Sequence, residues 1–173
     1  MTISIYADSL TIATRALVQT RHLLETARDQ SAAVGKSESE ILDLKLAPDM
    51  YSFTKQVQIV SDNAKGLASR ISDVPAPSMP DTETSFDELI ARMDATLEFV
   101  ASVTVSEDDA IETLEVEFPW LPGKAIAGHD YVVLFAIPNI LFHVSMAYAN
   151  LRTAGVTIGK TDFIGDLPFY DKA

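Results

Sequence analysis

Apolar residues recur every three or four positions through most of this chain, which is the spacing of one face of an α-helix. The pattern predicts a first helix over residues 4–34 and a second that opens at Pro48, because proline suits a first helical turn. A third helix opens at Ser85, where Glu88 completes a capping box, and the last runs over residues 128–155. These four segments predict an all-α fold.

Connecting segments interrupt this helical pattern. SESEILDLKL predicts a short connecting helix or turn, and the proline-rich DVPAPSMPDTET predicts an extended surface loop. Over residues 114–127 apolar and charged residues alternate around a PWLPGK turn, which predicts a small β-hairpin with Gly123 at the bend. The acidic run at 106–110 predicts one further helical turn. Because the proline-rich loop is too short to separate two domains, we expect a single domain over residues 1–173.

The last helix carries the most specific clue, a polar stripe on an otherwise apolar surface. Asn139, His143 and Asn150 fall within one narrow arc when each residue advances about 100°. Pro138 removes a backbone hydrogen bond, so we expect a kink just before Asn139. A membrane span is the alternative for such a helix. The polar stripe and the lack of flanking Lys or Arg favour instead the buried helix of a soluble core.

The second helix carries polar residues that are expected to face a neighbouring helix. Gln56, Asn63 and Arg70 share one row beside the apolar stripe, whereas Asp62 lies on the other side, where we expect it to meet water. The stripe itself consists of Phe53, Val57, Val60, Ala64, Leu67 and Ile71.

Two interpretations of these polar residues remain. In one, both helices line a ligand pocket, whose polar groups are His143, Asn139, Asn63, Gln56 and Asn150. In the other, they are buried groups that only hydrogen-bond nearby polar groups, with His143 bonded to a neighbour such as Asn139 one turn away. The remaining polar candidate, His22, points away from the apolar face of the first helix and is expected in solvent.

Composition narrows the classes of function. The formal net charge of −12 means that nucleic acid and anionic membrane surfaces would repel the chain, so we expect neither as a partner. The chain has no cysteine, which excludes disulfides, thiolate metal sites and cysteine nucleophiles. The N-terminal residues lack the pattern of a signal peptide, so we expect a cytoplasmic protein. Motifs of the GxSxG, GxxxxGK, GxGxxG and HExxH types do not occur.

Three segments taken together resemble a known group of proteins. They cover the chain from Leu46 to Gly165 in order, and they are LAPDMYSFTKQVQIVSDNAKG, DTETSFDELIAR and DYVVLFAIPNILFHVSMAYANLRTAGVTIGKTDFIG. The set is similar to a bacterial branch of the DinB/YfiT-like helical bundles that is classed as a domain of unknown function. The resemblance implies an up-and-down four-helix bundle that is often dimeric. The predicted β-hairpin is inserted before its last helix.

In that superfamily a divalent metal is commonly held by three histidines, one from the second helix and two lying four residues apart on the last. The resemblance places His143 at the first position of that pair. Ala147 stands at the second, and Asn63 occupies the second-helix position. An amide oxygen is a poor ligand for Zn²⁺ or Ni²⁺, and His129 lies more than three helical turns from His143. We therefore expect a degenerate metal site and no cofactor.

Two functions from different classes follow. The first is a non-catalytic or small-ligand-binding homodimer, whose interface we expect to include Tyr131, Phe135, Ile164 and Phe169. The alternative is an enzyme of the DinB-like metal- or thiol-dependent transferase or hydrolase type, with His143 in a pocket between the second and last helices. The incomplete set of catalytic groups favours the first.

Overall fold

The computed structural model describes residues 5–105 and 113–172, and four long helices form its scaffold. Helix α3 packs against α1, α4 and α5, and α1 also packs against α4 and α5. The prediction of a mainly helical fold is confirmed, while the acidic turn predicted at 106–110 lies outside the described residues. The helices are α1 (Ile5–Gln30), α2 (Glu38–Leu42), α3 (Phe53–Ser72), α4 (Phe86–Ser102), α5 (Gly128–Ala154) and α6 (Lys160–Ile164).

The second long helix, α3, begins at Phe53 rather than at the predicted Pro48. The side chain of Ser52 accepts a hydrogen bond from the backbone N–H of Lys55 and so caps the helix there. The N–H of Phe53 donates to the carbonyl oxygen of Leu44 (2.8 Å), which ties the helix start to the segment after α2. The first helix also ends earlier than predicted, at residue 30 rather than 34.

The apolar stripe predicted on the second helix is buried throughout α3. At its start, Phe53 meets Phe86 of α4 edge to face, with the ring centroids 6.3 Å apart. The two rings join the beginnings of α3 and α4, and both are almost completely shielded from solvent. This contact therefore anchors one end of the core.

The predicted β-hairpin is present between α4 and α5. Strand β1 (Glu115–Glu117) pairs antiparallel with β2 (Ala125–Ala127), and Val116 lies opposite Ile126. Gly123 lies at the bend with a φ of +75°, which favours glycine. Val116 is buried and its acidic neighbours are exposed, as the alternating pattern predicts.

Helix α5 is unusual in its backbone and in its surface. Residues Tyr131–Ala136 form a π-helical turn, in which hydrogen bonds span five residues instead of four. This irregularity ends two residues before Pro138, near the predicted kink. Among the described residues, α5 is also the one helix long and apolar enough to cross a membrane by length and composition. Its most apolar window has a mean hydropathy of 1.8 and is 33% buried.

The segment after α5 folds back onto α1. Nη2 of Arg15 donates to the carbonyl oxygens of Ile164 (2.6 Å) and Asp166 (3.1 Å). Nε2 of His22 lies 2.8 Å from Oδ1 of Asp162. His22 is therefore on the exposed side of α1, as predicted, and also contacts α6. Farther along, Phe169 is 88% exposed.

One buried charge holds the proline-rich loop between α3 and α4. Arg92 of α4 is 4% exposed, and its guanidinium contacts the carboxylates of Asp62 (2.7 Å), Asp81 (3.0 Å) and Glu83 (2.8 Å). Asp81 and Glu83 belong to the loop, so Arg92 fastens an otherwise extended segment to the two helices. Asp62 meets water, as its position on the helix predicts, with 41% of its side chain exposed, and it is also the α3 partner of this buried cation.

These contacts shift the pKa values of the loop acids. Burial raises the pKa of Glu83, but hydrogen bonds from Arg92 and Gln58 outweigh it and hold that pKa below its ordinary value. Burial also raises the pKa of Asp81. The hydrogen bond and charge of Lys55, followed by those of Arg92, outweigh burial and lower this pKa below its ordinary value. Because both acids bind protons more weakly in the folded chain, they stabilise the fold above their unfolded pKa values. That contribution is lost as the pH falls.

We predict that Arg92→Met destabilises the protein by about 3 kcal/mol, at the low end for a broken buried ion pair, because Asp62 and Asp81 keep part of their hydration. The variant should also lose less stability than the wild type between about pH 5 and about pH 3. Without the guanidinium, the pKa values of Asp81 and Glu83 return toward those of the unfolded chain. Urea melts across this pH range measure both effects.

Arg28→Met is the matched control for that experiment. Arg28 pairs with Asp87 on the exposed surface, where ion pairs contribute little to stability. An equal loss of stability in the two variants would contradict the role assigned to Arg92.

Candidate functional site

The polar row of α3 meets the polar stripe of α5 along the contact between the two helices. Residues spaced seven apart on α3 each reach one polar side chain of α5, and the partners descend in number because the helices run antiparallel. We call this set the polar seam. Its pairs are Gln56 with His143, Asn63 with Asn139, and Arg70 with Tyr131.

The pair of His143 and Gln56 is the most buried part of the polar seam. Nδ1 of His143 lies 2.6 Å from Oε1 of Gln56. The amide nitrogen of Gln56 donates to the carbonyl oxygen of Tyr51 (3.4 Å), which turns the amide oxygen toward the imidazole. Nδ1 therefore donates, and Nε2 carries the lone pair of the neutral ring. His143 thus has the nearby polar partner that a buried histidine requires, but the partner is Gln56 across the interface and not Asn139 one turn away.

The protonation of His143 follows from its surroundings. Burial lowers its pKa below the ordinary value of a histidine, and the ring of Phe142 packs edge-on against it with the centroids 5.2 Å apart. The imidazole is therefore neutral at pH 7. A neutral, hydrogen-bonded imidazole is suited to a structural role and also to accepting a proton.

Asn63 and Asn139 form the middle pair of the polar seam. Nδ2 of Asn139 donates to Oδ1 of Asn63 (2.8 Å), and Nδ2 of Asn63 donates to the carbonyl oxygen of Ile59 (2.8 Å). Both side chains are partly buried. The residue of α3 that contacts His143 is thus Gln56, whereas Asn63, which the resemblance matches to the second-helix metal position, pairs with Asn139.

The third pair was missed from the sequence. The hydroxyl of Tyr131 lies 3.5 Å from Nη1 of Arg70, and the guanidinium carbon lies 5.5 Å from the centre of the tyrosine ring. Residues eight apart on an unbroken α-helix point about 80° from each other, so Tyr131 would not share a face with Asn139. The π-helical turn changes this angle and brings Tyr131 onto the face that carries Asn139. Tyr131 is 2% exposed in the seam, so its predicted place in a self-interface is wrong.

Asn150 continues the polar stripe of α5 but has no partner. It is 1% exposed, and neither Oδ1 nor Nδ2 forms a hydrogen bond within the described part of the chain. A buried group left unpaired costs about 1–3 kcal/mol. Of the five predicted pocket residues, four therefore form two separate pairs, and Asn150 stands two turns beyond His143 without joining either.

The residues around His143 do not fit a tight transition-metal site. Gln56, the facing side chain, has its oxygen engaged by the imidazole itself, and Ala147 has no donor atom. Across residues 5–105 and 113–172, no three His, Asp or Glu side chains converge as ligands. His129 lies beside Asp130 at the exposed start of α5.

Comparison with solved structures defines the class of this fold. The chain superposes on the crystal structure of a DinB family member protein from Shewanella denitrificans with a TM-score of 0.90. The match covers 96% of this chain and 95% of that chain, at 27% sequence identity. The molecule is therefore a DinB-like helical protein, as the resemblance of its sequence predicts.

The family within that class follows from a second comparison. The family described as Domain of unknown function (DUF1993) matches residues 5–164, and this chain belongs to it. A comparison with curated proteins gave no match.

We predict that His143 makes the stability of the fold depend on pH. Its folded pKa lies below the unfolded value of about 6.5, so the contribution of the neutral ring is present above that pH and is lost as the pH falls. Between about pH 7.5 and about pH 5.5 the wild type should lose more stability than His143→Gln, by at most about 1.4 kcal/mol per pH unit. Denaturant melts of both proteins measure the difference. A difference that does not change with pH would contradict the burial of a neutral ring.

Proposed function

We propose that this protein is a non-catalytic homodimer, a single-domain up-and-down four-helix bundle in which the polar seam replaces the metal centre of its superfamily. One observation carries the proposal: Nδ1 of His143 is bonded to the neutral amide of Gln56 at 2.6 Å. This imidazole is matched to a buried partner of fixed orientation, and the neighbouring pair of asparagines is matched in the same way. Mutual satisfaction of this kind is what buried structural polar groups require.

The alternative is an enzyme of the metal- or thiol-dependent transferase or hydrolase type, with His143 as its base. The lone pair on Nε2 and the lowered pKa favour this role. Against it, the group that orients the ring is an amide, whereas a carboxylate partner would stabilise the protonated imidazole that forms when the base acts. The matched amide pairs therefore support the structural role.

Metal binding separates the two functions. We predict that the purified wild type holds Zn²⁺ and Ni²⁺ only weakly, because one imidazole and an amide make a poor ligand set. The double substitution Gln56→His with Ala147→His should create tight Zn²⁺ binding, since residues four apart share a helix face and the third ligand arrives from α3. Elemental analysis after dialysis and calorimetric titration with Zn²⁺ measure both.

The single substitutions are the controls for this gain. Ala147 is buried, so an imidazole there should cost about 1–3 kcal/mol of overpacking, and thermal melts show whether each variant folds. One tightly held transition metal per wild-type chain would overturn the proposal and favour the enzyme.

The dimer in this proposal is supported by the outer face of α5. Leu134 is 68% exposed and Phe142 is 51% exposed. No residue between Asp130 and Arg152 is Asp, Glu, Lys or Arg. In a chain of net charge −12, such a face is where two copies can approach with little repulsion. Ile164 and Phe169 of the predicted interface are also exposed and remain part of the proposal.

A second copy fits this face better than a lipid bilayer does. The inward side of α5 carries Asn139 and His143 and packs on α1 and α3. Those helices expose charged pairs such as Arg21 with Glu25, which a hydrocarbon interior would not accept. A twofold contact, by contrast, needs only one self-complementary apolar patch.

We predict that the wild type sediments at twice its chain mass of 18.8 kDa. The variants Phe142→Glu and Leu134→Glu should each sediment at the mass of a single chain. A carboxylate on each copy would be buried against the other, at a cost that the contact cannot offset. Tyr51→Glu is the control, because Tyr51 is equally exposed, at 57%, but lies in the loop before α3. Sedimentation equilibrium at micromolar concentration decides; a monomeric wild type would contradict the dimer.

A further inference from the structure

A cavity of 180 Å³ lies where α5 meets α1, on a different face of α5 from the polar seam. An apolar cavity of about 150 Å³ is large enough to hold benzene, so this one has room for a single ring or a short branched chain. Its apolar walls come from α1, α5 and α6, and they are formed by Ile12, Ala16, Leu141, Val144, Phe163 and Ile164.

The polar part of the wall consists of Arg15 and Gln19. Nη2 of Arg15 donates to two backbone carbonyls of the C-terminal segment, while Nε and Nη1 form no hydrogen bond within the described residues. No carboxylate of that described part of the chain forms an ion pair with Arg15 either. The cavity therefore combines an apolar interior with one guanidinium that no carboxylate of residues 5–105 and 113–172 neutralises.

The C-terminal segment is built to lie over this cavity. The hydrogen bond between His22 and Asp162 and the contacts of Arg15 hold α6 against α1. Gly165, which follows α6, has a φ of +75°, and a Cβ atom there would lie 2.1 Å from Nε2 of Gln19. A side chain at this position would force the Gln19 amide to move and would strain the backbone, because the left-handed φ favours glycine.

We propose that this cavity binds a small carboxylic acid with an apolar body about the size of a benzene ring. The body fills the space between Ala16, Val144 and Phe163, and the carboxylate pairs with Arg15. An ammonium group is repelled by the guanidinium, and a neutral group can accept a hydrogen bond from it but lacks the opposite charge of a carboxylate. The net charge of −12 repels an approaching anion at longer range, but salt screens this repulsion beyond about 8 Å.

Three probes with the same ring and different head groups test the charge preference: benzoate, benzyl alcohol and benzylamine. Methyl NMR spectra of the full chain should show benzoate shifting the signals of Leu141, Val144 and Ile164. We expect benzoate to bind at least about tenfold more tightly than benzyl alcohol, because only the carboxylate adds an opposite charge to the hydrogen bond from Arg15, and we expect benzylamine not to bind. Equal binding of benzylamine, or no methyl shift at millimolar benzoate, would overturn the proposal.

Substitutions locate the site. Arg15→Gln should weaken benzoate binding about tenfold and leave benzyl alcohol nearly unchanged. Arg152→Gln is the matched control, because Arg152 also donates to a backbone carbonyl, that of Ile158 (2.7 Å), but does not line the cavity. An equal effect of the two substitutions would contradict the assignment of Arg15.

Substitutions that fill the cavity test the binding site independently of Arg15. Ala16→Leu should abolish benzoate binding, and Ala16→Val, a smaller filling, replaces it if thermal melts show that the leucine variant does not fold. Unchanged benzoate affinity in the folded variant would overturn the site. A filled variant that changes the sedimenting mass, with no benzoate bound by the wild type, would assign the cavity to contact between two copies and would also overturn it.

Discussion

Three pairs of polar side chains inside the contact between α3 and α5 set how these two helices pack. Sliding α5 by one turn would separate His143 from Gln56 and Asn139 from Asn63, and each buried group left unpaired costs about 1–3 kcal/mol. Apolar residues alone would allow several registers of similar energy, because the hydrophobic effect is non-directional. The polar seam therefore selects one alignment. The same helix α3 also carries Asp62, which receives Arg92 from α4, so this alignment positions the proline-rich loop as well.

The elements that were predicted correctly depend on interactions within one element. The buried stripe of α3 follows from helical periodicity, and the hairpin around Gly123 follows from alternation and a turn residue. The start of α3 was misplaced for the same kind of reason. Proline at residue 48 is compatible with a first helical turn, but Ser52 supplies the cap that ends the preceding loop. A local pattern shows which residues can start a helix, and the competition between them is decided by contacts such as that of Phe53 with Leu44.

The pairing of the polar residues could not be read from one helix at a time. Periodicity placed Gln56 and Asn63 in one row and His143 and Asn139 in another. Which residue of one row pairs with which residue of the other depends on how far the two helices are shifted along their axes relative to each other. Regular helical periodicity places Tyr131 on the wrong face, because the π-helical turn rotates it into the seam. Arg92 left a weak signal: it lies four residues before Thr96 on the buried side of α4, where two polar residues interrupt the apolar row.

The lack of charged residues between Asp130 and Arg152 in α5 can be explained by its contacts with the other helices, without a membrane. One face of the helix meets α3 through neutral amides, an imidazole and a phenol, and another meets α1 around an apolar cavity. A charged residue on either face would be buried, and the buried charge of Arg92 shows how many partners such a group needs: three carboxylates and the carbonyl of Pro80. Only the outer face, with Leu134 and Phe142, has no such constraint within the single chain. The absence of charge on that face in a strongly acidic protein is therefore the part of α5 that the isolated chain does not explain, and a second copy of the chain would account for it.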